Sequence, residues 1–329
     1  MKEINMKDLF HLRYYNEIEK KNVSWLWYPY IPFGKITIVQ GDPGEGKTTL
    51  MLKIAAMMTA GKAIPTGEGN KEACNVVYQS AEDGIADTIK PRLLQAGADC
   101  SRIAFIETDE EETLSLGDFR FERAIRESKA KLLIIDPIQA FLNENSDLQK
   151  AGGLRKTCTY MAQVAEENEC AIVFIGHLNK SGSSKGIYRG LGSIDLAAIA
   201  RSILMVGRDK EDPNTRIMIP IKSSLAPEGK AYSFVIDDKV GLQWIGECDS
   251  SVEEILCNTN SLNRKLDRAK ASLEVLLDQT DMPSVEVFTR MQAIGIGKRT
   301  IETAKQEMEI VSYKEKGEWY WHLENRTVE

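Results

Sequence analysis

The sequence has few of the features that mark membrane, secreted or metal-binding proteins. No apolar run approaches the ~20 residues that cross a bilayer, and the start, MKEINMKDLFHLRYY, lacks the apolar stretch of a secretory signal. Six cysteines are scattered without a C-x-x-C pair, so no disulfide framework is indicated. Three histidines leave few ligands for zinc. We therefore expect a protein of the reducing cytoplasm with no membrane partner.

The chain also lacks an excess of positive charge. Its 42 Lys and Arg stand against 49 Asp and Glu, which gives a net charge of −7. This balance excludes a uniformly basic protein that coats DNA, although a local basic patch is enough for phosphate contacts. The composition, with 43% hydrophobic and 28% charged residues, is ordinary for a globular protein. A length of 329 residues favours about two domains.

The order of segments predicts an arm, a large α/β core and a small C-terminal module. We assign residues 1–22 to the arm, 23–255 to the core and 262–329 to the module, with a polar linker within 251–261. In the core, short apolar runs alternate with helical stretches, which is typical of a doubly wound, mostly parallel sheet. The expected strands are KITIVQ, NVVYQS, RIAFI, KLLIID and CAIVFIG.

Two further patterns complete the expected fold. The runs SILMVG, TRIMIPI and AYSFVID follow one another without long helices, so we expect them to form an antiparallel extension of the sheet. The C-terminal module shows helices at 264–278, 284–293 and 298–309, followed by two β-prone runs joined around Gly317. This order predicts a small winged helix-turn-helix domain.

The strongest motif is GDPGEGKT at 41–48, which matches G-x-x-x-x-G-K-[ST]. An expected strand precedes it and an expected helix follows. Glycines let successive backbone N–H groups surround phosphate oxygens, and the helix N-terminus adds positive potential. Lys47 would reach the β- and γ-phosphates of ATP, and Thr48 would hold Mg²⁺. The expected nucleotide-binding residues are Gly41, Asp42, Pro43, Gly44, Glu45, Gly46, Lys47, Thr48 and Thr49.

Three other expected strands end in groups that suit nucleotide chemistry. Asp136 ends KLLIID, where a carboxylate would lie beside the P-loop and hold the magnesium. Glu82 follows NVVYQS and would activate the attacking water; Asp83 is the alternative base, and helix capping by this segment is the structural alternative. His177 follows CAIVFIG and would sense the γ-phosphate through a hydrogen bond, unless it is a structural residue.

These four elements, in this order, resemble those of the RecA-like ATPases. Within that group the chain resembles the plasmid RepA-type hexameric helicases and related phage and mobile-element AAA-type ATPases. Trp25 with YPYIPFGK at 28–35 resembles the lead-in to the first strand of that family, and RGLGSIDLAAIAR at 189–201 resembles its glycine-led segment. The resemblance covers roughly residues 23–245. It implies a RecA-like fold and a ring or filament with ATP at subunit interfaces.

The resemblance also implies that a neighbouring subunit completes each site. Arg201 matches the family position for an arginine that stabilises the transferring phosphoryl group in trans, with a surface salt bridge as the alternative. Lys222 follows a β run and is a second candidate trans cation, which we group with the nucleotide-binding residues.

Two segments are candidates for DNA contact. GHLNKSGSSKGIYRGLG at 176–192 is basic and glycine-rich, and in the resembled family loops here line the central channel. The start of the third helix of the module is also basic, although the module as a whole is not, and many winged helices bind proteins instead. The expected DNA-binding residues are Lys180, Lys185, Tyr188, Arg189, Lys298, Arg299 and Lys305.

The leading hypothesis is an ATP-hydrolysing motor on single-stranded DNA, assembled as a hexameric ring that helps replicate a plasmid, phage or mobile element. The alternative is a regulatory or recombination-mediator ATPase that uses ATP to switch assembly without unwinding DNA. A small-molecule kinase is disfavoured, because neither an acceptor-substrate domain nor a lid is evident in the sequence.

Overall fold

The computed structural model describes residues 12–65, 68–108, 112–142, 153–178, 194–209, 212–252, 261–278, 280–315 and 317–323. The chain separates into two compact units, residues 1–252 and 253–329. Within the described ranges, no helix combines the length and the apolar character needed to cross a bilayer.

The larger unit is built on a nine-stranded sheet, preceded by a small hairpin. The hairpin strands are β1 (Trp25–Trp27) and β2 (Ile31–Pro32). The sheet strands are β3 (Ile36–Gly41), β4 (Asn75–Ser80), β5 (Ile103–Ala104), β6 (Ala130–Asp136), β7 (Ala171–His177), β8 (Ser202–Arg208), β9 (Thr215–Ser223), β10 (Ala231–Asp237) and β11 (Gly241–Cys248). Their order is β11-β10-β9-β8-β3-β7-β6-β4-β5. β3 to β8 run parallel, and β9 to β11 are antiparallel.

Helices cover both faces of this sheet because its central strands are apolar on both sides. In β6, Leu132 and Ile134 join one buried cluster, whereas Leu133 and Ile135 join the other. This is the two-residue period of a strand. The first cluster is covered by α1 (Lys47–Thr59) and α2 (Lys90–Ala96), and the second by α3 (Phe119–Ser128), α4 (Gly153–Glu167) and α5 (Ile194–Ile199).

The expected α/β fold with a large, mostly parallel sheet is confirmed. One detail of the expected antiparallel extension is wrong: SILMVG forms β8, which pairs parallel to β3. The short helix α5 packs on one face of the sheet directly before β8, and the antiparallel part begins only at β9. RIAFI supplies just the two residues of β5, and a π-helical turn at Ile85–Ile89 precedes α2.

The β1–β2 hairpin is held against the antiparallel strands by aromatic side chains. Trp27 is fully buried, and its ring centroid lies 4.7 Å from that of Tyr30 and 5.7 Å from that of Trp244 in β11. The Tyr30 hydroxyl donates a hydrogen bond to the Lys230 carbonyl at 2.7 Å. Large buried aromatic groups of this kind fix the lead-in to β3 and thereby the start of the P-loop strand.

Among its described residues, the smaller unit contains three helices and a three-stranded sheet. Asp281 accepts hydrogen bonds from the Tyr313 hydroxyl at 2.8 Å and faces Nδ1 of His322 at 2.9 Å, which ties the start of the sheet to its hairpin. In chain order the elements are α6 (Ser261–Leu277), β12 (Met282–Pro283), α7 (Ser284–Ala293), α8 (Lys298–Glu307), β13 (Val311–Glu315) and β14 (Glu318–His322). The sheet order is β12-β14-β13.

Candidate active site

The P-loop connects β3 to α1 at the carboxyl edge of the parallel sheet. β3 ends at Gly41 and α1 begins at Lys47. Gly44 and Gly46 have φ angles of 79° and 92°, which glycine adopts without the strain of a Cβ. A Cβ on Gly41 would lie 2.2 Å from the carbonyl oxygen of Val206 in β8. The backbone therefore requires glycine at three positions of the motif.

Asp136 lies beside the P-loop at the end of β6 and is only 7% exposed. Its Oδ2 accepts a hydrogen bond from Thr48 Oγ1 at 2.6 Å and another from the Tyr78 hydroxyl at 2.7 Å. Burial raises the pKa of the Asp136 carboxyl, although both hydrogen bonds and Lys47 oppose the shift. The Thr48 hydroxyl and the Asp136 carboxylate are hard oxygen ligands, which fit Mg²⁺ with water and substrate phosphate as further ligands.

Lys47 lies inside the same edge and is 4% exposed. Its Nζ donates to the Asp42 carbonyl at 2.8 Å and lies 3.3 Å from Nδ1 of His177. Burial lowers the pKa of the Lys47 ammonium, and the nearby carboxylates, chiefly that of Asp136, oppose this shift. Because an ammonium can only donate, Nδ1 accepts, and a neutral His177 carries its proton on Nε2.

Glu82 lies on the other side of His177, with 3.8 Å between Nε2 and Oε2. The Glu82 side chain is 65% exposed. Asp83, the alternative base, forms an ion pair with Arg92 of α2 at 3.0 Å, and its backbone N–H donates to Ser80. Lys47, His177 and Glu82 thus form a row of polar groups, whereas the Asp83 carboxylate turns towards α2.

Arg201 and Lys222 lie at the opposite edge of the sheet from the P-loop of their own chain. Arg201 directly precedes β8, and Lys222 pairs with Ile203 near the start of that strand. The length of β8, roughly 20 Å at about 3.3 Å per residue, separates this edge from the P-loop. Lys222 Nζ donates to the carbonyl oxygens of Ala197 and Ala200, both at 2.7 Å. Neither cation therefore reaches the site of its own chain.

The expected DNA-binding residues of the core, Lys180, Lys185, Tyr188 and Arg189, lie outside the described residues. In the smaller unit, Lys298 and Arg299 are exposed at the start of α8. Lys305 is half-buried: its Nζ donates to Ser312 Oγ at 2.5 Å and lies 4.8 Å from the centroid of the Trp321 ring. Lys305 is thus engaged within its own unit.

Three residues at the site carry no motif signal in the sequence. The Tyr78 hydroxyl donates a hydrogen bond to Asp136. In the sequence, a role for Tyr78 is indicated only by its position two residues before the end of β4, because residues 78 and 80 share a face of the sheet. Gln139 donates from Nε2 to the His177 carbonyl at 3.4 Å. Arg208 ends β8 and places Nε 3.2 Å from Oε1 of Glu45 in the P-loop. Arg208 and Glu45 are far apart in the chain, so their contact has no local signal in the sequence.

The fold and the site together define a P-loop ATPase of the RecA-like class. A parallel sheet carries the P-loop, and an acidic strand end lies directly beside its threonine. Residues 3–183 match the family AAA_25, an AAA domain. The chain belongs to this family, which implies ATP as the nucleotide and Mg²⁺ as its usual metal. The expected RecA-like class is confirmed, and the RepA-type subgroup and the winged helix stay predictions.

Curated relatives match part of the chain. The chain is 30% identical over 158 residues to the DNA repair protein RadA of Listeria monocytogenes, which covers 46% of this chain and 30% of that protein. It is 27% identical over 157 residues to RadA of Bacillus subtilis, with coverage of 46% and 30%. The match thus spans less than a third of the length of these relatives. The crystal structure of a RadB recombinase aligns with 65% of this chain and with 91% of the recombinase chain, at 18% sequence identity and a TM-score of 0.47.

Proposed function

We propose that the protein hydrolyses ATP at the interfaces of a homo-oligomer and uses this reaction to act on DNA. The observation that carries the proposal is the row Lys47–His177–Glu82 beside the Thr48–Asp136 pair. It combines, at one edge of the sheet, a phosphate-binding lysine, a metal-binding oxygen pair and a carboxylate free to reach water. Positioned groups of this kind account for most of the catalysis of phosphoryl transfer.

In this proposal each group has a separate task. The P-loop and Lys47 hold the phosphates, and Mg²⁺ held by Thr48 and Asp136 would neutralise their charge. Glu82 accepts a proton from the attacking water. Glu82 suits this task better than Asp83, because Asp83 is already paired with Arg92.

His177 would report on the γ-phosphate. Its Nδ1 accepts from Lys47 and its Nε2 faces Glu82, so a phosphate that draws Lys47 away changes both contacts. His177 ends β7 and precedes the basic segment 180–189 along the chain. Hydrolysis would therefore be coupled to this segment through the end of one strand.

The nucleoside of ATP would occupy a cavity of about 300 Å³ beside α1. Thr49 lines it directly after the metal-binding Thr48, so a nucleotide held by the P-loop can extend into it. The opposite walls come from α2 and the β10–β11 turn, with Arg92, Gln95 and Ile236 among the lining residues. Apolar and hydrogen-bonding groups together suit a ribose and a base.

The oligomer would complete each site with cations from the next subunit. Arg201 is exposed at the sheet edge opposite its own P-loop, as a residue that acts in trans requires. Lys222 is a weaker candidate, because it would have to give up two hydrogen bonds to the end of α5. A closed hexameric ring is the assembly we propose.

We further propose that single-stranded DNA binds the basic segment 180–189, and that the smaller unit is a winged helix. The order helix, short strand, helix, helix and hairpin supports that assignment. Lys298 and Arg299, exposed at the start of α8, are better placed for DNA than Lys305, which is engaged with Ser312 and Trp321. A site of action on DNA also fits the expected cytoplasmic location.

Two forms of this function differ in what ATP hydrolysis achieves. The resemblance to RepA-type helicases favours a replicative motor that unwinds DNA. The similarity to proteins named DNA repair protein RadA favours the second form, a recombination or repair ATPase. Displacement of one strand from a forked duplex would identify the motor. DNA binding and ATP hydrolysis without displacement would identify the second form.

The central test is a titration of the ATPase rate with single-stranded DNA. We expect the rate to rise and then saturate, and we expect Lys47→Ala to abolish it by removing the phosphate-binding ammonium. A rate that stays flat across the titration while ATP is hydrolysed would show that DNA is not the activating ligand.

A further inference from the structure

Two arginines face each other beside the P-loop. Arg208 at the end of β8 and Arg216 in β9 are directly opposite in the antiparallel pairing. Like charges in this position destabilise a sheet. The stability of the sheet therefore does not explain why two arginines are paired here.

Arg208 contacts two consecutive residues of the P-loop, Gly44 and Glu45. We call these two residues the crown of the P-loop. Its Nε lies 3.2 Å from Glu45 Oε1, and Nη2 donates to the Gly44 carbonyl at 3.5 Å. Nη1 donates to the Pro213 carbonyl in the β8–β9 turn at 3.4 Å. The guanidinium thus connects the crown to the neighbouring hairpin, and the Glu45 side chain is only 17% exposed where it is held.

Arg216 also lies beside the P-loop. Its own Nη1 donates to the carbonyl oxygens of Pro213 and Asn214, and its side chain packs beside Gly46. Burial lowers the pKa of Arg216, and the nearby charge of Arg208 lowers it further. The Glu45 carboxylate opposes this shift of the Arg216 pKa and contacts Arg208, so it lies near both arginines and offsets the repulsion between them.

Two buried polar atoms beside the contact between Arg208 and Glu45 are not hydrogen-bonded to any described residue. Within the part of the chain that the structure describes, Oε2 of Glu45 and Nε of Arg216 are buried without a hydrogen-bond partner. Buried polar atoms are normally satisfied, so each exception calls for an explanation.

We propose that Arg208 is a positioning residue for the nucleotide site, which holds the P-loop crown through Glu45 and Gly44 in the shape that receives the phosphates of ATP. The proposal rests on the proposed ATP-binding function of the P-loop. When the loop is already ordered, no binding energy is used to order it. The contacts of Arg208 with the crown therefore strengthen nucleotide binding. Arg208 acts through the loop, so the chemical step changes little when it is removed.

The test is Arg208→Gln in the full chain, with equilibrium binding of a fluorescent ATP analogue and steady-state kinetics. We expect the dissociation constant and KM for ATP to rise about tenfold, the size expected for a charge-assisted hydrogen bond, and kcat to stay within about twofold. Arg126→Gln removes an exposed arginine from α3, on the other face of the sheet, and should bind ATP as the unsubstituted protein does.

A double-mutant cycle with Glu45→Gln tests whether the effect passes through the crown. We expect Glu45→Gln and Arg208→Gln each to weaken binding, and the double substitution to be no weaker than Arg208→Gln alone. Fully additive losses, or a fall in kcat with unchanged binding, would overturn the proposal. If Arg208→Gln does not fold, Arg208→Lys carries the test, because it keeps the charge but loses the planar fork.

The two proposals fail in different ways. An unsubstituted protein that binds no ATP would overturn the proposed function and this inference together. An unsubstituted protein that binds ATP, with an Arg208→Gln variant of equal affinity, would overturn this inference alone.

Discussion

The buried carboxyl of Asp136 is held by two neutral hydroxyl donors, Thr48 and Tyr78. Burial raises its pKa above the value of an exposed carboxyl. A carboxyl whose pKa is higher in the folded than in the unfolded protein favours folding at pH values below its pKa in the unfolded chain. That contribution to stability is lost as the pH rises through its pKa in the folded protein. At neutral pH the ionised Asp136 therefore destabilises the folded, nucleotide-free protein, which agrees with the metal-binding role that we propose for it.

The substitution Asp136→Asn should accordingly raise the melting temperature of the metal-free protein at pH 7, while it abolishes ATP hydrolysis. The gain should shrink as the pH falls, because protonation neutralises the wild-type carboxyl as well. Thermal melts between pH 4 and 8 without Mg²⁺ measure this difference. A lower melting temperature of the variant at pH 7 would contradict the argument.

Glu82 and Asp83 are adjacent but differ in their partners. We expect Glu82→Gln to lower kcat by about 10²–10⁴-fold with ATP binding retained, because it removes the group that accepts the proton of water. Asp83→Asn should lower kcat much less, because that carboxylate pairs with Arg92. Single-turnover hydrolysis with both variants measures the difference, and the reverse order would assign the base to Asp83.

At the scale of elements, the P-loop depends on how closely β3 approaches β8. Gly41 is needed because the backbone of β8 lies where its Cβ would be, whereas Gly44 is needed for its backbone angle alone. The motif identifies both glycines from the sequence. Their separate reasons follow from the sheet order, which places β8 next to β3.

These two glycines should respond differently to the same substitution. Gly41→Ala should destabilise the protein by on the order of 4 kcal/mol, because the backbone at Val206 must move. Gly44→Ala should cost only about 1–2 kcal/mol, because its φ is strained but no atom lies near the new methyl group. Chemical denaturation of both variants compares them, and equal losses would show that β3 and β8 can separate at little cost.

At the scale of the whole molecule, the position of Arg201 bears on assembly. It lies at the end of β8 opposite to the end that contacts the P-loop, so it can serve an active site only in another subunit. Arg201→Ala should therefore abolish hydrolysis while each chain still binds ATP.

Mixing two inactive variants tests this arrangement directly. Arg201→Ala chains retain Glu82, and Glu82→Gln chains retain Arg201, so a mixed oligomer contains some complete interfaces. We expect ATPase activity to reappear on mixing, up to about a quarter of that of the unsubstituted protein if subunits assort at random and one interface suffices for activity. Mass measurement with an ATP analogue, with and without single-stranded DNA, gives the ring size. No recovery in a mixture shown to form mixed oligomers would place Arg201 outside the shared site.

Much of the fold was predictable because its signals are local. The continuous apolar runs predicted the central parallel strands, and the P-loop motif located the turn between β3 and α1. β11 gave no clear signal, because three of its eight residues are exposed at the sheet edge and its sequence, GLQWIGEC, is weakly apolar. The direction of β8 was missed because the short helix α5 before it resembles a loop in the sequence.

The sequence alone determined the class of the protein and the groups that we propose bind phosphate and metal, because a P-loop and strand-end carboxylates depend on neighbours in the chain. The tertiary structure decided which of these groups meet. It placed His177 between Lys47 and Glu82, turned Asp83 towards Arg92, and brought Arg208 to the P-loop. The order and direction of strands in the sheet set these contacts, and residues far apart in the chain carry no local sign of them.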